Sequence, residues 1–304
     1  MGWFGAMTAF ALHRDRTEFT WDDTESAHQA WKASTGFVYP SGDPRSEHER
    51  GAWVRWVLNG DGPLGPEVAD YACLAQWAWS HKRPPHGGKH PFATAPSVPG
   101  LKLSAATAVA VNVQRVVEEA RRRFEPQRIG HVPQDVPVVV ARPNALTTNG
   151  TVWGWSRRVL LRFPAGITNA QQPPGRRIAL YGKVHRFALT YAYPVAGEPG
   201  LWWAGSSLVN EQYPYTRSEL QLQDAYLRWR KDFATLFPGV LVVGTDPEIL
   251  QGWRPKPHTG SEGRLIRTEN QIIYPALWHS GVRWAPSLVE EVAQWARMRT
   301  LLST

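Results

Sequence analysis

The segment that most constrains this chain is its opening, MGWFGAMTAFALHR, where Gly2 and Gly5 stand three residues apart at the head of an apolar, helix-like run. A strand-turn-helix nucleotide site uses the spacing G-x-G-x-x-G. One glycine makes the tight turn, the next lets the backbone approach a pyrophosphate, and the last lets the helix rest closely on the strand. Gly2 and Gly5 match the last two. Asp22 and Asp23 close the strand-like run EFTWDD, and an acidic residue about 20 positions beyond the glycines is where such a site holds a ribose. One of the pair suffices for that; the other reads as the N-cap of a following helix. No strand precedes Gly2 in the sequence. The expectation is therefore an N-terminally truncated nucleotide-binding unit, with the true start upstream or another segment filling the gap, because the first strand of such a fold lies at the centre of its sheet.

The remainder sorts by periodicity. Residues 33–43 read as a loop and 46–80 as a helical, tryptophan-bearing region, while HKRPPHGGKHPFATAPSVPG (81–100) is a long Pro/Gly loop, a boundary or lid. A long amphipathic helix is expected over 104–124, ending in EEARRRF. Strand-like runs follow: VPVVVA, RRVLLRF, RRIALYG, RFALTYAYP and GLWWAGSS. Residues 216–237 read as helix, VLVVG as strand and APSLVEEVAQWARMRTLL as a closing helix. Strands and helices alternate at both ends and strands dominate the middle. That pattern predicts an α/β, Rossmann-like nucleotide-binding domain made of the discontinuous segments 1–45, 101–168 and 251–304. A sheet-rich α+β domain, 46–100 and 169–250, is inserted between them.

Charge and composition exclude little and favour some readings. The net charge of +8 admits an anionic ligand or nucleic acid without requiring either. Cys73 is the single cysteine, which rules out an internal disulfide or a cysteine-built zinc site and fits a reducing cytoplasm. No run approaches the roughly 20 apolar residues of a membrane span. The apolar start lacks a basic leader and a small-residue cleavage site, so it reads as a helix. The three histidines of the 81–100 loop are irregularly spaced with no carboxylate among them, and read as solvated side chains; no metal site is expected. The 16 tryptophans are scattered, as core and pocket-lining residues are.

Three further segments carry a family likeness. GWRPKP, followed by IIYPALWHSGVRWAPSLVEEVAQWA, resembles the C-terminal part of the D-amino-acid oxidase and glycine oxidase family of FAD-dependent oxidoreductases, and YAYPVAGEPGLWWAGSS resembles that family's substrate-binding strand and hairpin. ASTGFVYP stands where the family has a second flavin-contacting loop. The resemblance implies a noncovalent FAD held by Gly2, Gly5, Asp22, Asp23, Ser34, Thr35, Gly36 and the turn His279, Ser280, Gly281, Val282 and Arg283. It implies that Arg254 and Tyr191 bind the substrate carboxylate. Two departures stand out: LLRFPAG replaces a strand that usually ends in small residues, and WHSGVRW is bulkier and more charged than the usual Gly-rich turn.

The chemistry so implied is oxidation of the C–N bond of a small amino acid or secondary amine, the flavin accepting the hydride and the protein orienting the carbon and excluding water. Arg254 suits the carboxylate because a guanidinium forms two parallel hydrogen bonds to it. Arg283 reads either as a charge reinforcing the flavin site or as a solvent-facing first-turn residue, Tyr191 as a carboxylate ligand or a half-buried strand aromatic, and His279 as a site or a structural residue. Two alternatives remain open: the same chemistry on an amino-acid-type modification of tRNA or a DNA base, favoured by the basic pI and EARRRF, and a flavin-free scaffold derived from the fold. The residue pattern does not specify an oligomeric state.

Overall fold

Helix α1, Trp3–Arg14, forms where the opening pattern puts it. The computed structural model describes residues 1–23, 30–41, 43–60, 66–79, 92–94, 102–133, 136–141, 152–167, 176–185, 188–206, 219–238, 240–242, 247–257, 264–275, 277 and 281–302. The helix ends on His13 and Arg14, cations where the helix dipole favours them. Arg14 reaches both carboxylate oxygens of Glu290, at 2.5 and 3.0 Å, on the closing helix α5 (Ala285–Leu302). Helix α2 (Pro44–Asn59) starts with Pro44 behind Asp43, which accepts a hydrogen bond from the Ser46 N–H at 2.7 Å, and it stops at Gly60 in the left-handed conformation.

Two expected helical segments are helix only in part, each also containing a strand. Within 46–80, only residues up to Asn59 continue α2; Ala72–Trp79 is β2, and Cys73 lies on it. Within 104–124, Lys102–Val111 is β4 and α3 covers only Val113–Arg123. The reason is burial on both sides. On β4, Val109 and Val111 join one core while Ala108 and Ala110 join another, so the strand reads as a continuous apolar run that periodicity cannot separate from a buried helix. Asn112 makes the break. Its side chain caps α3 by accepting from the Arg115 N–H at 3.2 Å and donates to Ala196 O at 3.1 Å. EFTWDD forms no strand either: Trp21 makes a single bridge with Arg128, and its indole donates to Phe124 O at 2.6 Å. Its backbone partner is the segment following α3: the Trp21 N–H donates to Gln127 O at 3.1 Å and the Ile129 N–H to Trp21 O at 2.9 Å.

Among the described residues a ten-stranded sheet dominates. Its order is β1 (Phe37–Val38), β4, β2, β7 (Arg176–His185), β8 (Ala188–Pro194), β9 (Leu201–Ser206), β6 (Val152–Ile167), β10 (Val240–Val242); β11 (Glu248–Pro257) also pairs β6, and β3 (Phe92–Thr94) pairs β4. All pairs are antiparallel except β2 with β7. A second, three-stranded sheet holds β12 (Ile266–Arg267), β13 (Gln271–Ile273) and β5 (Val138–Val140), with β13 parallel to β5. The expected strands in VPVVVA, RRVLLRF, RRIALYG, RFALTYAYP, GLWWAGSS and VLVVG are all present, as are the helix expected over 216–237, α4 (Glu219–Leu236), and the closing helix α5.

Strand alternation gives the large sheet two unlike faces. Leu161, Leu180, Ala192 and Ala204 lie against Trp229, Phe233 and Phe237 around α4. The adjacent positions Leu160, Tyr181, Tyr191, Tyr193 and Trp203 form a cluster with Phe37 on the other face. Helices α1, α2, α3 and α5 share a third core that includes Phe10, Trp53, Trp56 and Phe124. Each large apolar side chain so buried contributes roughly 1.5–3 kcal/mol before entropy is counted. The tryptophans Trp3, Trp53, Trp56, Trp202, Trp203, Trp229 and Trp295 are buried, as the scatter along the chain predicts.

Candidate functional site

A closed circuit of contacts joins the segments that the sequence singles out. Gly2 is the N-cap of α1, whose first turn carries no side-chain cap and no acid; a Cβ on Gly2 would stand 3.8 Å from Trp31. Trp31 belongs to a short 3-10 turn, Ala30–Ala33, and its carbonyl accepts from the Ser34 N–H at 3.2 Å. Ser34, Thr35 and Gly36 lead into β1, whose Phe37 stacks on Tyr193 with ring centroids 4.2 Å apart. Beyond β1, Tyr39 O accepts from Arg283 Nη2 at 2.7 Å. The circuit closes through Gly281: its carbonyl accepts from the Trp3 indole at 3.3 Å, and Phe4 lies 3.6 Å from where its Cβ would be.

Gly5 sits one turn into α1, where a Cβ would come 3.8 Å from Ala141 Cβ, just past the end of β5. The nearer neighbour of that Cβ would be Met1 Cγ, at 3.1 Å. The Gln114 amide donates to Lys32 O at 2.9 Å and Ser34 O at 3.1 Å, fixing the loop before Gly36 from α3. Val282 is buried, and its carbonyl accepts from the Trp53 indole at 3.0 Å.

Tyr191 is 2% exposed, a buried residue and not a half-buried one. It stacks on Tyr193 at 5.0 Å and lies 5.8 Å from Tyr181, whose hydroxyl is 2.5 Å from that of Tyr193. Gly205 faces it across β8 and β9; a Cβ there would stand 2.6 Å from the Tyr191 hydroxyl. Tyr39, Tyr181 and Tyr193 were not foreseen as site residues. The available signal was the alternation in LTYAYP, which puts positions 191 and 193 on one sheet face. Arg254 lies on β11, opposite Ser156 of β6. Position 254 is an even number of residues beyond Leu250, which packs on the tyrosine cluster, so the register places it on the same sheet face as Tyr191. The described part of Arg254 is its backbone.

Arg283 is 7% exposed and so not the solvent-facing residue that its first-turn position allowed. Its guanidinium lies 4.6 Å from the Tyr39 ring centroid, and Nη1 is buried with no hydrogen-bond partner among the described residues. Burial pushes its pKa down, against the attraction of Tyr39, Glu47 and Tyr181. Asp23 sits at the edge of the circuit, paired with the Met1 ammonium and with Arg121 Nη2 at 2.5 Å. Asp22 adjoins it, and the helix it was expected to cap falls outside the described residues, as do His279, Ser280 and most of the 81–100 loop. The arginines of EARRRF are engaged: Arg121 with Asp23, Arg122 with Glu119, and Arg123 with His13 at 2.9 Å. Among the described residues no cluster of metal-ligating side chains is present, and no helix is long and apolar enough to cross a membrane.

No family model and no curated protein matches the sequence. Solved structures do match. Iminodiacetate oxidase from Chelativorans superposes with a TM-score of 0.63 at 13% identity, over 98% of this chain and 93% of that one. Glycine oxidase from Geobacillus kaustophilus gives 0.65 at 12% identity, over 98% and 93%. An FAD-dependent oxidoreductase from Pseudomonas aeruginosa gives 0.57 at 13%, over 98% and 88%. The chain shares their fold. The large curled sheet with flanking helices is thus the mixed α/β architecture expected from the sequence.

A buried carboxylate behind the 281–284 turn was also not foreseen. Glu49 of α2 is 3% exposed and accepts from the Ser287 N–H, in the first turn of α5, at 3.3 Å. Burial pushes its pKa up, and the Ser287 bonds and the charges of His48 and Arg45 oppose this without cancelling it. A carboxyl whose folded pKa is raised favours folding most below its unfolded value and loses that contribution as pH rises through the folded value. The thermal midpoint of Glu49→Gln should therefore equal or trail that of the wild type near pH 4 and gain on it steadily toward neutrality. Melting curves of both proteins across that range check this, and a constant difference would count against the shift.

Proposed function

We propose that this protein is an FAD-dependent oxidoreductase that oxidises the C–N bond of a small amino acid or secondary amine. The observation that carries the reading is the circuit itself: the N-terminus of α1, the Ser34–Gly36 loop and the Gly281–Arg283 turn meet beside the tyrosine face of the sheet. The described residues fit such a dinucleotide. The uncapped first turn of α1 offers N–H groups to phosphate.

In this reading Gly2, Gly5, Ser34, Thr35, Gly36, Gly281 and Val282, with His279 and Ser280, hold the cofactor noncovalently, and Asp22 or Asp23 binds its ribose. Once bound, the flavin would supply the acceptor for the hydride leaving the amine-bearing carbon. The chain's own task is placement. Arg254 and Tyr191 fix the substrate carboxylate from one sheet face, and the aromatic wall of Phe37, Tyr181 and Tyr193 keeps water from the reacting carbon. The solved relatives named for oxidation of glycine and iminodiacetate support a small amine or amino acid as substrate.

Purified protein should be yellow, with visible absorbance near about 450 nm that anaerobic addition of a suitable amino acid bleaches. Colourless protein that takes up no FAD on dialysis against it would sink the reading and leave a flavin-free scaffold.

A further inference from the structure

We infer that Arg283 anchors a buried binding site for a small monocarboxylate, lodged between the 281–284 turn, the loop after β1 and the tyrosine face of the large sheet. The inference deepens the reading above by assigning the anion-binding role to a residue outside the G-x-R-P segment, and it rests on that reading only for what the carboxylate belongs to.

The argument begins with cost. A guanidinium removed from water is stable only when its charge and its donors are met, and proteins satisfy this with a carboxylate or phosphate. Arg283 has neither among the described residues. Its only hydrogen bond there is from Nη2 to Tyr39 O, at 2.7 Å. The acids that feel its charge, Glu47 and Asp43, are already engaged: Glu47 accepts from the Ser41 N–H and from Arg50 Nε, each at 2.7 Å, and Asp43 accepts from the Ser46 N–H at 2.7 Å. Arg50 itself is a second cation on that side, and it donates to Thr107 O at 2.5 Å. The Tyr39 ring, 4.6 Å from Cζ, covers one face of the fork and gives a part of the missing stabilisation. Nη1 is left buried and unmet.

Geometry selects the ligand class. Nη2 is pinned to a backbone carbonyl, so the fork has one fixed arm and one arm free to donate, which suits a carboxylate oxygen. The walls are phenolic: Tyr39, and Tyr181 with its ring centroid 6.0 Å from that of Tyr39. Such walls favour a singly charged group with an apolar body over a strongly hydrated dianion such as phosphate.

The test is calorimetric titration of the protein as isolated with acetate, phenylacetate and inorganic phosphate, repeated on Arg283→Lys and Arg283→Met, with flavin content read from the absorbance of each sample. The expected result is carboxylate binding by the wild type in preference to phosphate, weakened at least about 30-fold in Arg283→Met and partly kept in Arg283→Lys. Because the site carries an unpaired charge when empty, Arg283→Met should also melt no lower than the wild type without added anion. Absence of carboxylate binding by the wild type, binding unchanged in Arg283→Met, or a lower melting point with unchanged binding would each overturn the inference. Loss of flavin from Arg283→Met at intact carboxylate affinity would overturn it too, by giving the residue to the cofactor. Protein that carries no flavin yet binds carboxylate through Arg283 upholds the site and refutes only the proposed oxidoreductase.

Discussion

Gly36→Ala should unfold this protein under conditions where Gly60→Ala leaves it folded. Both glycines have positive φ, +62° and +71°, where an L side chain costs about 1 kcal/mol relative to glycine. Their surroundings differ. A Cβ on Gly60 would meet nothing within 4 Å, whereas on Gly36 it would stand 1.8 Å from Val111 O and 2.8 Å from Val111 C. Backbone cannot move aside as a flexible side chain can, and the same pair is held by the Val111 N–H donating to Gly36 O at 2.9 Å. Relief requires the 34–36 loop to leave the end of β4, which breaks that bond and releases Phe37 from the tyrosine cluster. The expected loss is about 3 kcal/mol or more for Gly36→Ala and about 1 kcal/mol for Gly60→Ala. Urea unfolding monitored by tryptophan fluorescence measures both, and equal losses would mean that the close approach at Val111 is not maintained in solution.

The Gly36 contact also illustrates what was legible in the sequence. A glycine before a strand-like FVY invites a loop, and the loop is there, but only the fold shows that its partner is Val111, 75 residues on. Local signals did well where one physical cause acts alone. Asp43-Pro44 and Gly60 mark the two ends of α2, although the helical expectation ran past Gly60 to residue 80, and RFALTYAYP, buried on both faces, still reads as a strand because its residues are aromatic and β-branched. Legibility failed where burial on both faces coincides with an alanine-rich, helix-favouring sequence, as in ACLAQWAW and KLSAATAVAV; the polar Asn112 between β4 and α3 is a local mark of the change.

The site divides in the same way. The glycines of α1 could be selected from their spacing, and the Ser34–Gly36 loop and the Gly281–Arg283 turn through the family resemblance of their segments. Tyr39, Tyr181 and Glu49 could not, since nothing near them in sequence says which face they share or what they pack on. The burial of Arg283 is equally a tertiary fact: its neighbours along the chain, VRWAP, would suit an exposed helix start as well.

Arg254→Ala should raise the concentration of amino acid needed to reduce the flavin far more than it slows reduction once the substrate is bound. The proposed role is ground-state recognition of a carboxylate that stays bound through hydride transfer, so its removal takes away binding common to both states. Loss of a bidentate, charge-assisted contact in a water-poor site costs about 2 to 5 kcal/mol, roughly 30-fold to several-thousand-fold in kcat/KM. Arg254→Lys should recover only part, because an ammonium keeps the charge and loses the planar fork. The strand register supports this placement, since position 254 shares a sheet face with Leu250 and hence with Tyr191. Flavin content should not change, as the residue faces substrate in this reading. Anaerobic reduction by a panel of amino acids, with wild type, Arg254→Lys and Arg254→Ala, separates the possibilities. Unchanged apparent affinity in the alanine variant would leave Arg283 as the carboxylate anchor, and loss of FAD would move Arg254 to the cofactor's side of the site.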